Sequence, residues 1–498
     1  MSDSHETTEA QLIEGRRAKH QALIDGIGYP HKYERSHLAA ELQSTYSDLS
    51  SATETEVEVS VAGRLMLSRS FGKLQFGTLQ DGSGTIQLFV DRSHAGEEVA
   101  QQFAELDLGD WIGARGVVMT TKRGELSVKV AELTTLQKSL RPLPDKWHGL
   151  QDVEARSRRR YVDLMVNSEA REVALTRAII VSALRQEFED RGYVEVETPV
   201  LLSQATGATA RPFATSHKAL DMDMYLRIAT ELYLKRLVVG GIERVFEIGR
   251  IFRNEGIDST HNPEFTMLEA YQAFADYEDV MDLIEGVVEG VTKEVHGESE
   301  IEYQGKKLDL AGPYRRVSVS QLVSEKLGEP VDLDTPVERL RDHASRTGVE
   351  FEGDWSSGRL IFELYEEIVE RELWEPTFVT HQPIEVSPLS RRNREDPRLA
   401  DRFELVIAGA EYCNAFSELN DADDQRARFE EQAAAGAAGD EEAHPVDEDY
   451  LVALEYGLPP TGGLGLGVDR LVMLLTDRSH IREVILFPTL RPESGEQA

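Results

Sequence analysis

The chain carries a single cysteine, Cys413, among its 498 residues. One thiol excludes an intrachain disulfide, and with no cluster of histidine and cysteine a zinc site is not expected. So sparing a use of cysteine fits a cytoplasmic protein. Also missing is any run of about 18 apolar residues, which excludes a membrane-spanning helix and a membrane partner of that kind. The opening residues, MSDSHETTEAQLIEGRR, lack the apolar core of a secretory signal. Basic residues are scarce too: 54 Lys and Arg stand against 90 Asp and Glu, for a formal net charge of −36. Phosphate contacts supply most nucleic-acid affinity, so this balance excludes a bulk electrostatic binder of the histone kind. It leaves room for local basic patches, and it keeps the chain solvated.

What is present is ordinary globular material. Hydrophobic residues make up 40% of the chain, enough for packed cores, and its length calls for about two to four domains. Residues 1–50 read as a polar helical extension, with Leu12, Leu23, Ile24 and Leu38 as apolar points and Gly26, Gly28 and Pro30 as interruptions. Across 51–140 the period changes to two. Val57, Val59 and Val61 alternate with Glu56, Glu58 and Ser60, and four further short strands follow around the turns at Asp81 and Lys122. About five short antiparallel strands suggest an OB-fold barrel. Such barrels hold single-stranded nucleic acid by stacking bases on aromatics beside cations, and Arg69, Lys73, Phe76 and Gln87 are the candidates. Phe76 reads equally well as core.

Residues 141–165 form a linker that opens on RPLPDKWHG and carries Arg156, Arg158, Arg159 and Arg160. That cluster is either a solvated run or a phosphate contact. Beyond it, 166–498 reads as one large domain with a mainly helical insertion near 277–375. Asn167 can cap a helix with Val173, Ile180, Leu184 and Phe188 at helical spacing, and a strand near 193–198 follows. A small-residue loop at 205–213 contains Gly207, where a ligand could approach the backbone closely. Glu231 then stands amid apolar neighbours, and 430–449 is a segment rich in Ala, Gly and acid.

The densest chemistry lies at 243–271, ERVFEIGRIFRNEGIDSTHNPEFTMLEAY. Two alternating runs, 244–253 and 264–271, flank about ten turn-prone residues, the pattern of a β-hairpin with a long loop. Equal parity shares a strand face, so Phe265, Met267, Glu269 and Tyr271 line one side. Arg253 and Glu255 stand where the first strand runs out, and the guanidinium could grip a phosphate or carboxylate in bidentate fashion. Further on, Asn414, Phe416 and Glu418 share parity, with Cys413 facing the other way into core. Glu404 and Glu411, either side of Gly409, are the paired hard-oxygen ligands that Mg²⁺ needs to complete its shell with phosphate and water. Gly462 and its neighbours (GGLGLGVDR) form a glycine-rich strand feeding a helix, from whose start Arg470 could reach a phosphate.

FRNEG…HNPEFTMLE resembles motif 2 of the class II aminoacyl-tRNA synthetases, RGYVEVETPVL resembles their motif 1, and GGLGLGVDR their motif 3. With the barrel in front, the whole chain is similar to the bacterial-type class II lysyl-tRNA synthetases. The resemblance implies an α+β protein: a five-stranded OB-fold anticodon-binding barrel followed by a catalytic domain built on an antiparallel sheet flanked by helices. It implies a homodimer that binds tRNA(Lys), L-lysine and ATP, with ATP as co-substrate and Mg²⁺ as cofactor. It further implies that Arg253 and Arg470 are catalytic. Glu255, His261, Asn262 and Phe265 would join those two arginines around ATP, and Glu404 and Glu411 would hold the metal. Gly207, Glu231, Arg253, Asn414 and Phe416 would receive lysine, whose ε-ammonium would meet Glu269, Tyr271 and Glu418. Arg69, Phe76 and Gln87 would read the anticodon. Thr206 and Ala415 replace glycines usual in the family, and both are expected to tighten the pocket. Aspartyl- and asparaginyl-tRNA synthetases share the scaffold, but their pockets must complement an acid or an amide rather than offer two carboxylates. A relative that has lost tRNA charging typically lacks the barrel or the ATP residues; here both are present.

Overall fold

The computed structural model describes residues 3–144, 150–204, 206–208, 210–387, 389–437 and 445–492. Parts of the 141–149 stretch, of the 205–213 loop and of the 430–449 segment lie outside the described residues. The chain forms two compact units, 1–151 and 152–498. No helix among the described residues is long and apolar enough to cross a membrane.

In the first unit, strands β1 (Glu54–Phe71), β2 (Leu74–Gln80), β3 (Thr85–Asp91), β4 (Trp111–Thr120) and β5 (Leu126–Gln137) close a barrel in the order β1-β2-β3-β5-β4. Val59, Val61, Leu65, Leu79, Leu88 and Val128 are among the residues that fill it. Val57 does not join them. It is exposed, in an irregular stretch of the β1–β4 pairing between Glu54 and Glu58. Ser60, expected outside, is buried instead, because the incoming arm covers it. Its hydroxyl donates to the Glu34 carbonyl at 2.9 Å and meets the Tyr33 hydroxyl at 3.0 Å. The arm begins with helix α1 (Asp3–Asp25), which stops at Gly26. Arg16 ties it to the barrel by donating to the carbonyls of Leu108, Ser139 and Arg141.

The second unit is organised by an eight-stranded sheet. Its strands run in the order Arg315–Ser318, Thr377–Thr380, Arg402–Ile407, Ala410–Ser417, Thr461–Gly467, Glu264–Ala273, Arg244–Phe252 and Val194–Glu195. Only the two outermost pairs are parallel. Strand parity divides the central strands into two faces. Leu405, Cys413, Ala415, Leu464, Leu466, Leu268 and Ala270 belong to one core with helices Ser168–Asp190 and Tyr277–His296. The alternate residues, among them Glu404, Asn414, Phe416, Met267 and Glu269, face the cavities described below. Ala415 is therefore a core residue, and its replacement of glycine does not tighten a pocket.

Residues 277–375 are more than a helical insertion. Helix Tyr277–His296 packs in the main core, a hairpin joins Glu300–Tyr303 to Lys306–Asp309, and Arg315–Ser318 edges the sheet. Helices Val319–Leu327, Val337–Thr347 and Ser357–Ile368 then share a core of their own. The arginine cluster is also spent differently from either reading of it. Buried Asp163 draws in Arg156 at 2.8 Å and Arg160 at 2.5 Å, and Arg160 itself is buried. An isolated buried carboxylate is costly, and two guanidinium partners offset that cost. Arg158 pairs with Glu154, and only Arg159 of the four is exposed. Asn167 occupies the N-cap position, but its side chain donates to Asp163 rather than capping the helix.

Candidate active site and barrel face

The hairpin comes first. Arg244–Phe252 pairs with Glu264–Ala273 in a register that sets Glu247 against Glu269, Gly249 against Met267 and Ile251 against Phe265. Its loop runs from Arg253 to Pro263. Asp469, buried at the start of helix Val468–Leu475, pins the second strand by accepting from the Thr266 amide at 2.6 Å. Arg177 holds Asp469 at 2.5 Å and donates to the Thr266 hydroxyl. The glycine-rich strand, the helix it feeds and the hairpin are thus locked together.

A cavity of about 410 Å³ opens over this lock. Arg253, Glu255, His261, Asn262 and Phe265 line it from the hairpin and its loop, and Arg470 from the helix. Glu404 and Glu411 line it from the neighbouring hairpin. That hairpin turns through Ala408 (φ 50°) and Gly409 (φ 74°), two left-handed residues as a tight two-residue turn requires. Each acid has an arginine. Arg402 donates to Glu404 at 2.8 Å, and Arg470 lies 3.3 Å from the Glu411 carboxylate. Burial, opposed by Arg402 and reinforced by Glu411, holds Glu404 above its ordinary value. Two hard-oxygen groups sharing one cavity with phosphate-sized room fit a divalent cation of the Mg²⁺ class. The Asn262 amide donates to the Glu264 carbonyl at 2.6 Å, which fixes the end of the loop against the strand.

A second cavity, about 260 Å³, adjoins the first. Gly207, Glu231, Arg253 and Asn414 line it together with Glu269, Tyr271, Phe416 and Glu418. Arg253 lines both cavities, as do Met267, Arg402, Asn414 and Gly465. Gly207 holds φ +97°, a conformation that L side chains rarely adopt. Glu269 is buried, accepts from the Thr230 amide at 3.0 Å and from the Tyr271 hydroxyl at 3.3 Å. Burial and the nearby Glu231 charge push it up to about 7. Burial also holds Glu418 well above the carboxylate range, against the pull of Lys235.

A family model described as "tRNA synthetases class II (D, K and N)" matches residues 152–491, and one described as "OB-fold nucleic acid binding domain" matches 59–136. The lysine–tRNA ligase of Enterococcus faecalis is 52% identical over 482 residues, covering 96% of each chain. The enzyme of that name from Synechococcus sp. (strain RCC307) is 52% identical over 495 residues, 98% of each. That of Pediococcus pentosaceus is 49% identical over 496 residues, 99% of this chain and all of its own. The chain belongs to the lysine–tRNA ligase family of class II tRNA synthetases.

Two residues of this synthetase escaped the sequence reading. Arg402 reaches Asn414 at 3.1 Å, the Val386 carbonyl and the Ser387 hydroxyl as well as Glu404, so it ties the wall of one cavity to that of the other. Its parity with Glu404 was the available signal. Lys235, fully buried, stands 2.5 Å from Glu231 and ion-pairs with Glu418. The i,i+4 spacing to Glu231 could have flagged it. Thr206 turns its hydroxyl to Asp447 at 3.3 Å.

The glycine-rich strand of the synthetase serves the second cavity more than a phosphate. A Cβ on Gly463 would fall 1.9 Å from a Glu418 oxygen and 2.5 Å from the Tyr271 ring. Gly463→Ala is therefore expected to displace both, at an overpacking cost of about 1–3 kcal/mol. Measured in ATP–pyrophosphate exchange, the KM for lysine should rise while that for ATP stays near normal. An unchanged lysine KM would mean that the two side chains can yield.

In the barrel, Phe76 is not core. It sits half-exposed, edge-on to Phe89 at 5.3 Å and Phe71 at 6.2 Å, with Phe71 exposed. Arg69 lies opposite Phe76 in the strand register, and Gln87 lies on the outward parity of its strand, accepting from Ser127 at 2.9 Å. Phe71 and Phe89 extend the aromatic face beyond the residue singled out from sequence.

Proposed function

We propose that the chain is a cytoplasmic lysine–tRNA ligase that activates L-lysine with ATP to lysyl-adenylate and esterifies the 3′ end of tRNA(Lys). The observation that carries this reading is the pair of buried acids, Glu269 and Glu418. They face one cavity that shares Arg253 with a second cavity lined by arginines and carboxylates. In the first cavity ATP lies with its adenine on Phe265 and its phosphates toward Arg253 and Arg470, within reach of Glu255, His261 and Asn262. Glu404 and Glu411 would hold Mg²⁺, which when bound supplies neutralisation of phosphate charge. In the second, Glu231 and the Gly207 backbone take the α-ammonium, Asn414 and Arg253 the carboxylate, and Glu269, Tyr271 and Glu418 the ε-ammonium beside Phe416.

The reaction then needs no protein nucleophile. The lysine carboxylate attacks the α-phosphorus in line, the α–β phosphoanhydride bond breaks and pyrophosphate leaves, and Arg253, at the junction, binds both reacting groups and stabilises the charge that develops. Exposed Leu175 and Ile179, one turn apart on helix Ser168–Asp190, and exposed Val194 and Leu201 support a homodimer. Exchange of pyrophosphate into ATP, measured with each standard amino acid in turn, tests the assignment. Lysine should stand alone, and a preference for aspartate or asparagine would overturn it.

We assign the barrel face to the anticodon, with Phe76 as a stacking platform beside Arg69 and Gln87. Phe76→Ala should weaken tRNA charging by about 1–3 kcal/mol, the worth of one stacked base, and spare pyrophosphate exchange. A parallel fall in both activities would turn Phe76 into a purely structural residue.

A further inference from the structure

Lys235 has no place in the scheme above, yet it is the most completely enclosed cation among the described residues of the second unit, with no exposed surface. It lies on helix Glu231–Val239, one turn from Glu231, and its ammonium approaches a Glu231 oxygen to 2.5 Å. On its other side it ion-pairs with Glu418. The rings of Phe416 and Tyr271 flank it, with centroids at 5.5 and 5.8 Å. Each of these four neighbours lines the amino-acid cavity, whereas Lys235 stands behind that wall. Apart from this ion pair, neither Glu418 oxygen has a hydrogen-bond partner among the described residues.

We propose that Lys235 is a positioning residue of the amino-acid pocket, a permanent internal cation that aims Glu418 at the incoming ε-ammonium and favours its carboxylate form against the opposing effect of burial. The inference rests on the reading of this cavity as the lysine site and deepens it. Its physical basis is a charge balance. With all three acids ionised, Glu231, Glu269 and Glu418 bring three negative charges and Lys235 one positive, leaving two. Free lysine carries two ammonium groups, while aspartate and asparagine carry one. Without Lys235, three buried carboxylates would repel one another, and the least solvated, Glu418, would take up a proton. A protonated Glu418 offers no charge to an ammonium. Tyr450 also faces Lys235, and Glu231 and Glu269 face Glu418. The Tyr450 and Tyr271 phenols, pushed upward by burial, remain neutral and do not replace the missing cation.

The test is a cycle of Lys235→Met, Glu418→Gln and the double variant in the full-length chain, read by lysine-dependent pyrophosphate exchange. Methionine keeps the apolar stem and removes the charge. Lys235→Met should raise the KM for lysine by about 100-fold or more, the scale on which removal of one partner of a buried ion pair is felt. The KM for ATP should move by less than about threefold, since coupling is confined to residues in contact. The lysine deficit should shrink as pH rises, because Glu418 must lose a proton before it binds an ammonium. In the Glu418→Gln background, Lys235→Met should add less than about threefold, because the two residues act as one unit. Should Lys235→Met alone fail to fold, the double variant decides, since it removes the cation together with one of its two carboxylate partners and leaves only Glu231 to adjust. An additive effect in that background, a deficit independent of pH, or an unchanged lysine KM in Lys235→Met overturns the proposal. A wild type that activates some other amino acid instead overturns the lysine reading itself.

Discussion

Arg253→Ala should lower lysine-dependent pyrophosphate exchange by about 100-fold or more, equivalent to roughly 3 kcal/mol of transition-state stabilisation, with little change in thermal unfolding. Both halves of that expectation come from the position of the residue. Arg253 stands where strand Arg244–Phe252 ends, lines both cavities, and lies 5.3 Å over the Phe265 ring. Its guanidinium makes one hydrogen bond among the described residues, a long 3.4 Å from Nε to the Ile228 carbonyl. A side chain so lightly used by the fold is available to substrates. Lysine at this position should restore little, because an ammonium cannot form the bidentate contact of a planar guanidinium. Exchange rates and melting curves for both variants check this. Near-normal exchange in Arg253→Ala would remove the residue from the chemistry.

The second large effect is expected at the two buried acids. Glu418→Gln and Glu269→Gln preserve shape and each remove a charge, so lysine activation should lose about 2–5 kcal/mol, as when one partner of a buried pair is neutralised. Leucine, which would leave Glu269 without a cation and Glu418 with Lys235 alone, should be rejected by the same logic, by about 10⁴-fold or more. Glu269 adds a pH signature. Its carboxyl is pushed up to about 7, so the form that receives an ammonium is populated above that pH and lost below it. The kcat/KM for lysine should therefore fall as pH drops through about 7, and Glu269→Gln should flatten that limb. Exchange with lysine and with aspartate in both variants is the deciding measurement. Lysine activation unchanged in both would refute the pocket.

Strand parity made most of the site legible. Phe265, Met267, Glu269 and Tyr271 fall on one face, Asn414, Phe416 and Glu418 on another, because alternation in a sheet is strict once a strand is recognised. The same rule assigned Cys413 to the core, and it should have assigned Ala415 there too, since the two lie in one core. What escaped was set by partners distant in sequence. Lys235 shows its link to Glu231 in the spacing of one helix, but the tie to Glu418 spans helix and sheet. The cluster at 156–160 looked like a basic surface because Asp163, which draws two of its members inward, counts as one more acid in an acidic chain. Ser60 was misplaced for a related reason: the arm that covers its outer face cannot be seen from the alternation of β1 alone.

That Arg253, lightly held by the fold, is shared by two cavities has a thermodynamic consequence. Any ligand that reorients Arg253 in one cavity alters the free energy of filling the other, and the coupling is reciprocal: the factor by which ATP changes the affinity for lysine equals the factor by which lysine changes the affinity for ATP. A non-reactive nucleotide analogue would therefore tune the amino-acid site, and an amino-acid analogue lacking its carboxylate, with nothing to offer Arg253, would leave the nucleotide site indifferent to its presence.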